Sequence, residues 1–261
     1  EAQARFTETG ALWMLGHDQA QNDAMKRRLA QFGVDSDVLD AAALRERFPL
    51  INTDPLPAYD DDGNELPQSL GELSAVYEHG CGHLDSSTVL EDLLRACGRD
   101  GVDVRFKQRV AAFETAAAGG ECVGVRLADG AVIEAGLAVV NASGPWFNKL
   151  NETVGLELST SALPTRIQVG HKWIPDEFCD LPFVADGWGP SGIYFMPRAR
   201  NNQLVFGSVA HRFESEIVDP DDYNTALDPD VKQDYLGCLF HRLPTLPQEG
   251  EIVGFSSMYT V

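Results

Sequence analysis

The chain has 261 residues, with 40 acidic against 20 basic side chains and a formal net charge of −20 at pH 7. This length allows one large domain or two interleaved ones around a real core. Nucleic acid and anionic membranes are not expected partners, because an acidic protein repels both. Short acidic clusters such as Asp219–Asp222 indicate a solvated acidic surface.

Two further features of the composition bear on the cellular context. No run of about 18 apolar residues marks a membrane span. Five cysteines are widely spaced and form no C-x-x-C pair, which is typical of reduced thiols rather than of a disulfide framework. We therefore expect a cytoplasmic protein.

The first part of the chain predicts a strand, two helices and a loop. Residues 9–15 alternate as a strand, Asp18 is placed to cap the helix that follows, and Gly33 suits the C-terminus of that helix. A second helix is expected over Asp40–Phe48 and ends before a proline. Residues 52–67 are rich in Pro, Asp and Gly, which indicates a surface loop.

The middle of the chain predicts one helix and a series of strands. Asp85 is a candidate N-cap for a helix over Ser86–Arg99, whose apolar residues share one face. The Asp129-Gly130 pair signals a hairpin turn. The wholly apolar segment Leu137–Val140 is typical of a strand buried on both faces of a parallel sheet. The strands expected here are 102–106, 110–113, 122–127, 131–134 and 137–140.

Beyond residue 151 the pattern is dominated by strands. They are expected at 166–173, 192–196 and 204–209, with a helix over 230–240. No internal repeat and no clean linker is present. The predicted fold class is α/β, in the mixed α+β sense, with two β-rich lobes joined by chain crossings.

The turn after the apolar segment is the most informative motif. Small residues in Asn141-Ala142-Ser143-Gly144 allow a ligand to approach the backbone, and Pro145 suits the first turn of a helix. Free N–H groups at a helix N-terminus bind phosphate, and nucleotides bind at the carboxyl edge of open α/β sheets. The same segment is also consistent with a tight turn that binds no ligand.

Several short motifs follow one another in a fixed order along the chain. They are Thr9-Gly10-Ala11-Leu12, Leu39-Asp40 with Phe48-Pro49-Leu50, the helix after Asp85, the Gly124-Val125 to Asp129-Gly130 hairpin, Ala142-Ser143-Gly144-Pro145-Trp146, Pro164-Thr165-Arg166, Gly192-Ile193-Tyr194-Phe195-Met196-Pro197 and Phe206-Gly207-Ser208. This series resembles the D-amino-acid oxidase family of flavoproteins, which includes sarcosine, dimethylglycine and glycine oxidoreductases.

The resemblance implies a fold, a cofactor and a domain layout. A partial FAD-binding, Rossmann-like domain is expected to interleave with a substrate domain built on a mixed β-sheet, and FAD is the implied cofactor. Residues 1–75 would form a substrate-domain segment with connecting helices, 76–160 the partial FAD-binding domain, 161–255 the antiparallel sheet of the substrate domain, and 256–261 a return toward the FAD domain.

The resemblance also implies site residues. The backbone of Val110 would hold the adenine end of FAD, the small residues after Asn141 would line the pyrophosphate and ribose, and Trp146 would pack nearby. The expected cofactor-binding residues are Val110, Ala142, Ser143, Gly144 and Trp146. The expected substrate-pocket residues are Tyr194, His211 and Tyr259. No catalytic base is identified.

The implied reaction is the oxidation of a secondary amine or amino acid, such as sarcosine, dimethylglycine, glycine or a D-amino acid. Hydride would pass from the carbon next to nitrogen to the flavin. In monomeric sarcosine oxidases a strand lysine helps oxygen react with the reduced flavin, and the similar stretch Leu204–Gly207 has no lysine. This favours a dehydrogenase, whose further partner would be an electron acceptor protein.

Two departures from the family pattern modify these expectations. No strand followed by G-x-G-x-x-G is present, and the chain stops where the family continues into a flavin-contacting loop. We therefore expect a fragment truncated at both ends that binds FAD poorly.

Alternative functions remain open at this stage. One is a flavin-dependent 2-hydroxy-acid or glycerol-3-phosphate dehydrogenase, for which Arg198, Arg200 and Arg212 would offer a sparse basic cluster. Another is a non-catalytic fragment. The segment His79–His83 holds two imidazoles and a thiol, but structural zinc usually takes four ligands, so a simple turn is favoured there and no metal is expected.

Overall fold

A computed structural model describes residues 3–15, 18–56, 73–117, 120–160, 162–187, 192–208 and 216–261. Its strands are β1 Thr7–Glu8, β2 Ala11–Met14, β3 Ser36–Asp40, β4 Ser74–Glu78, β5 Gly82–His83, β6 Val110–Thr115, β7 Cys122–Leu127, β8 Val132–Glu134, β9 Pro164–Trp173, β10 Phe183–Asp186, β11 Ile193–Arg198, β12 Gln203–Gly207 and β13 Ile252–Thr260. Its α-helices are α1 Gln19–Gln31, α2 Ala41–Arg47, α3 Ser86–Arg99, α4 Phe147–Glu152 and α5 Pro229–Arg242.

The chain divides into two compact units, and each is built from three separate segments. Unit 1 comprises residues 1–86, 167–215 and 225–257, whereas unit 2 comprises residues 87–166, 216–224 and 258–261. The mixed α/β fold class predicted from the sequence is confirmed.

Unit 1 is organised by an eight-stranded sheet in the order β13-β9-β12-β11-β10-β2-β4-β3. Its centre is a parallel pair, β2 with β10, flanked by antiparallel neighbours. One face of the sheet packs on α5, where the ring of Phe206 meets Tyr235 edge-on at 6.4 Å. Leu12, Phe195 and Leu204 are fully buried in the same cluster. Burial of this face is the main stabilisation of the unit.

The helix starts of unit 1 follow the local sequence signals. The carboxylate of Asp18 accepts the N–H of Gln21 at 2.8 Å, and that of Asp40 accepts the N–H of Ala43 at 2.8 Å. Such caps satisfy backbone donors that have no partner within the helix. Gly33 follows α1 with φ +73, in the left-handed region that glycine tolerates best. The predicted cap at Asp18 and the predicted helix end at Gly33 are confirmed.

Unit 2 contains a three-stranded antiparallel sheet, β6-β7-β8, together with α3 and α4. The predicted hairpin is confirmed between β7 and β8, where Gly130 takes φ +90 in the turn. Among the described residues of this unit, Leu127 is the one apolar side chain classed as buried, and α3 buries none of its residues. The described part of unit 2 therefore has a very small core.

Two predicted strands of unit 2 are absent from the structure. Residues 102–106 and 137–140 form no ladder, and Leu137 and Val140 are 96% and 84% exposed. A parallel strand needs hydrogen-bonded neighbours and covered faces, and the described residues supply neither. The prediction that Leu137–Val140 is a doubly buried strand is wrong for this structure, although the residue types suit one.

No helix within the described ranges is both long enough and apolar enough to cross a lipid bilayer.

Candidate functional site

Unit 2 carries a cavity of about 570 Å³. Its lining residues come from four parts of the unit: the start of β6, the turn before α4, α4 itself and the segment 216–224. They are Arg109, Val110, Ala111, Ser143, Trp146, Lys149, Leu150 and Asp221. The cavity thus brings together three residues expected at the cofactor, Val110, Ser143 and Trp146. Ala142 and Gly144 lie next to this lining and are exposed. Cofactor binding by these five residues stays a prediction.

An irregularity in β6 shapes one wall of the cavity. Val110 pairs with Leu127, but the next partners are Ala112 and Arg126, so that Ala111 is an extra residue in the strand. A bulge of this kind leaves the extra residue without a partner in the ladder and turns the strand locally. Backbone groups of β6 are therefore available at the cavity wall, and Val110 and Ala111 add apolar side chains.

A network of amides fixes the opposite wall. Oδ1 of Asn141 accepts two hydrogen bonds from Ser143, one from its hydroxyl at 2.7 Å and one from its backbone N–H at 3.3 Å. The side-chain nitrogen of Asn141 donates to the carbonyl of Phe147 and to Oδ1 of Asn151. Both donors of Ser143 are thus engaged within the protein. The helical turn Gly144–Trp146 and the six-residue α4 follow directly.

Asp221 is the electrostatic centre of the cavity. Its Oδ1 accepts the indole N–H of Trp146 at 2.9 Å, and its Oδ2 accepts Nζ of Lys149 at 2.7 Å. Arg109 lies 3.3 Å from Oδ2. The hydrogen bonds from Lys149 and then from Trp146 lower the pKa of Asp221 to about 2. A second carboxylate, Asp219, contacts Lys149 at 2.5 Å.

The pKa values of Lys149 and of its partner Asp219 are shifted as well. The hydrogen bonds that Lys149 donates to Asp219 and Asp221 raise the pKa of Lys149, and the hydrogen bond from Lys149 lowers the pKa of Asp219. Because all these groups are exposed to water, the shifts indicate favourable pairing of modest strength that salt screens.

The two aspartates are carried by residues 216–224, which we call the acidic segment. Backbone hydrogen bonds from Arg166 N–H to the Glu216 carbonyl and from Val218 N–H to the Pro164 carbonyl hold its first half. The guanidinium of Arg166 donates to the carbonyl of Asn224 at its end. Arg109, Lys149 and the acidic segment were not predicted as site residues. The sequence indicated only a solvated cluster, because their pairing joins residues far apart in the chain.

A second cavity of unit 2, of about 390 Å³, includes Asn141 and Asn151 of the same amide network in its lining. Its remaining lining is largely apolar and small: Phe113, Thr115, Gly120, Cys122, Val139, Val154, Gly155 and Leu156.

The residues expected in a substrate pocket fall on different parts of the chain. Tyr194 lies on β11 of unit 1, on the sheet face that does not pack on α5. A Cβ added to Gly207 would lie 2.6 Å from the Tyr194 hydroxyl oxygen, so the tyrosine side chain lies over this glycine. Tyr259 belongs to unit 2 and is 48% exposed on β13. His211 lies outside the described residues.

The stretch Leu204–Gly207, which has no lysine, forms part of β12 as predicted, and the neighbouring strand β9 does carry a lysine. Val205 stands beside Met196 and His171 on the Tyr194 face of the sheet. Lys172, on β9, is in register with Leu204 and therefore shares the face that packs on α5. Its Nζ donates to the Glu249 carbonyl at 2.5 Å, and burial lowers its pKa.

The alternative sites proposed from the sequence have other contacts. His79 Nε2 lies 2.7 Å from the Asp37 carboxylate, and no group of three or more His, Cys, Asp or Glu side chains within the described ranges is placed to hold a metal ion. Arg198 lies 3.6 Å from Asp85, and Arg212 is outside the described residues.

Comparison of the sequence with family models gives a match over residues 1–260 to the family described as FAD dependent oxidoreductase, abbreviated DAO. No curated protein sequence matches the chain.

Comparison with solved structures finds the same fold in several enzymes. L-proline dehydrogenase from P. horikoshii superposes with a TM-score of 0.71 at 17% identity, covering 98% of this chain and 61% of the other. Glycine oxidase from Bacillus cereus gives 0.68 at 15% identity, with 98% and 61% coverage. Glycine oxidase from Geobacillus kaustophilus gives 0.69 at 18% identity, with 98% and 60% coverage. The chain thus spans about three fifths of the length of these structures.

Proposed function

The chain belongs to the family of FAD-dependent oxidoreductases, and from this membership we propose that the protein oxidises a small amine or amino acid with FAD. The observation that carries the proposal is the cavity of unit 2, in which Val110, Ser143 and Trp146 meet although they come from separate segments. The neighbours named as L-proline dehydrogenase and glycine oxidase support an amino-acid substrate. The proposal concerns the activity of the whole protein, since this chain covers 61% of the L-proline dehydrogenase chain.

The cavity fits one end of FAD better than its middle. Its volume of about 570 Å³, the indole of Trp146 and the bulged backbone at Ala111 suit the adenine ring and its ribose. Both donors of Ser143 are engaged, and Arg109 and Lys149 are paired with carboxylates, so the lining offers the pyrophosphate no free charge. Contact between the pyrophosphate and Ala142 or Gly144 remains a prediction. FAD, when bound, supplies the two-electron acceptor.

We assign the units as follows. Unit 1, with its eight-stranded sheet, is the substrate domain, and unit 2 is part of the nucleotide-binding domain. Support for the second assignment comes from apolar residues of unit 2 that the described residues leave uncovered, including Leu90, Leu93, Phe106, Leu137 and Val140. Exposed apolar surface of this extent is typical of a face that packs on further polypeptide.

The Tyr194 face of the unit 1 sheet is the proposed substrate surface. Tyr194 would contact the substrate there and orient the C–H bond that is oxidised. An amine must be neutral to be oxidised in this way, and an apolar surface lowers an amine's pKa by desolvation. This chain's part in the reaction is therefore binding, orientation and exclusion of water.

We further propose that the enzyme is a dehydrogenase. The Tyr194 face of β12 carries Val205, and Lys172 is on the opposite face of the sheet. No ammonium group on this strand pair is therefore directed to the substrate side. Electrons would pass to another acceptor, such as a partner protein, faster than to oxygen.

Flavin binding tests the proposal most directly. The purified whole protein is titrated with FAD, and binding is followed by quenching of flavin fluorescence. We expect binding that weakens about tenfold or more in Trp146→Ala, since stacking on an aromatic ring contributes about 1–3 kcal/mol per base. The matched control is Trp173→Ala, whose indole is 60% exposed in unit 1 and should leave the affinity unchanged. Absence of FAD binding by the whole protein, or an equal loss of affinity in both variants, contradicts the proposal.

The substrate class is tested by anaerobic reduction. Sarcosine, dimethylglycine, glycine, D-amino acids and L-proline are added separately to the flavin-loaded protein, and bleaching of the flavin absorbance is recorded. Rapid recolouring on admission of air would contradict the assignment as a dehydrogenase.

A further inference from the structure

The cavity of unit 2 contains two positive charges that are already neutralised. Lys149 contacts Asp219 at 2.5 Å and Asp221 at 2.7 Å, and Arg109 contacts Asp221 at 3.3 Å. Two cations and two carboxylates leave no net charge among these four residues. Asp222, which follows directly in the chain, adds a negative charge to the same segment.

The neutral donors of Trp146 and Ser143 are engaged as well. The indole N–H of Trp146 donates to Asp221, and the hydroxyl and backbone N–H of Ser143 donate to Asn141. Phosphate binds where free N–H groups and unpaired cations converge. An entering phosphate would have to separate Asp221 from three partners, in a protein whose net charge is −20.

We propose that Asp221 is a specificity-determining residue: by occupying Lys149, Arg109 and Trp146, it makes the cavity reject phosphate groups and select an uncharged planar ring. The identity of that ring as the base of the cofactor rests on the proposed function, whereas the rejection of phosphate does not. The acidic segment thereby sets which end of a dinucleotide can enter.

The remaining surface of the cavity suits such a ring. Val110, Ala111 and Leu150 supply apolar contacts, and the bulge in β6 leaves backbone groups of Ala111 outside the ladder. A heteroaromatic base needs an apolar or aromatic surface for its faces and backbone groups for its polar edge. Asp221, by accepting its N–H, also holds the Trp146 indole in place.

The test compares two probes on the full chain by NMR. The indole N–H signal of Trp146, assigned by its loss in Trp146→Phe, reports on both the cavity and the Asp221 contact. For the wild-type chain we expect the signal to shift with adenosine and to remain unchanged with inorganic pyrophosphate up to about 10 mM, the range of very weak binding. Wild-type binding of pyrophosphate at lower concentration would overturn the proposal.

The decisive variant is Asp221→Asn, which keeps the size of the side chain and removes its charge. Pyrophosphate affinity should rise about tenfold or more, and the gain should diminish with added salt because it rests on freed cations. Asp222→Asn is the matched control, since it changes the net charge equally in the same segment and should gain nothing. Asp221→Glu, which keeps the charge, should still reject pyrophosphate.

Each result has a defined meaning. Equal behaviour of Asp221→Asn and Asp222→Asn overturns the role of Asp221 in rejecting phosphate. Absence of adenosine binding overturns the selection of a ring. If adenosine binds and Asp221→Asn gains pyrophosphate while FAD does not bind, the proposed function fails and the inference about Asp221 stands. Circular dichroism of each variant confirms that the chain remains folded.

Discussion

Arg242 and Asp186 form an ion pair in which both side chains are fully buried. Nε of Arg242 donates to Oδ2 of Asp186 at 2.8 Å, and Nη2 lies 2.7 Å from the same oxygen without hydrogen-bond geometry. Nη1 donates to the carbonyls of Asn52 and Asp54. The pair therefore ties the end of α5 to the end of β10 and to the chain after α2, at the base of the sheet that carries Tyr194.

We predict that Arg242→Met destabilises the protein by about 3–5 kcal/mol, because it leaves the Asp186 carboxylate buried without its cation. The double variant with Asp186→Leu should recover most of this loss, since an apolar pair leaves no buried charge. Urea unfolding measures both. Lys26→Met is the control, because its pair with Asp37 at 3.9 Å is about half exposed and should contribute at most about 1 kcal/mol. Equal losses in Arg242→Met and Lys26→Met would contradict the prediction.

Two glycine-to-alanine substitutions distinguish steric crowding of a neighbouring side chain from a gain in helix propensity. Gly207→Ala places a Cβ 2.6 Å from the Tyr194 hydroxyl, so the tyrosine side chain must move, at a cost of about 1–3 kcal/mol. The KM for substrate should rise as well if Tyr194 contacts the substrate. Gly237→Ala in α5 meets no atom within 4 Å and should stabilise by about 1 kcal/mol, through helix propensity. Thermal melts and steady-state kinetics check these signs, and an unaltered Gly207→Ala enzyme would refute the contact.

For the cluster around Asp221 we predict a loss of stability at both ends of the pH range. The folded-state pKa values of Asp221 and Asp219 are lowered, so their contribution is present above about pH 4 and is lost as pH falls toward 2. The pKa of Lys149 is raised from 10.5, so its contribution is complete below pH 10.5 and is lost above the raised value. Carboxyl-carbon NMR titration of Asp221 should show a midpoint near 2 that moves upward in Lys149→Met. An unmoved midpoint would exclude the pairing in solution.

For Lys172 we predict a dependence of stability on pH that is opposite in sign to that of Lys149. Burial lowers its pKa in the folded state, so the unfolded chain binds more protons between the lowered value and 10.5. Stability of the wild type relative to Lys172→Met should therefore rise with pH across this window. Urea unfolding at several pH values measures the difference, and a flat difference would argue against burial of a charged amine. Lys232→Met provides a comparison on α5.

Local signals predicted much of this fold and little of its charge network. The predicted cap Asp18 acts within three residues of itself, and the hairpin at Gly130 is determined by its own turn residues. Leu137–Val140 has the composition of a buried strand, but strand formation depends on neighbours that the described residues do not provide.

The candidate site, like the fold, was predicted only in part. Val110, Ser143 and Trp146 were identified through resemblance and do share one cavity. Asp221 was not identified, because its contacts with Arg109 and Lys149 depend on bringing distant segments together. Nothing in the composition of the acidic segment distinguishes a paired carboxylate from a solvated one.

The parallel pairing of β2 with β10 has a consequence for biosynthesis. Ala11 pairs with Phe183 and Met14 with Asp186, so the centre of the sheet joins the beginning of the chain to a strand made much later. Leu12 and Met14 are fully buried in the finished protein, but β2 can pair only with β4 until β10 has been synthesised. Non-local pairing of this kind slows folding and exposes apolar surface to aggregation. A chaperone that shields β2 of the nascent chain would therefore protect it from aggregation until β10 has been synthesised.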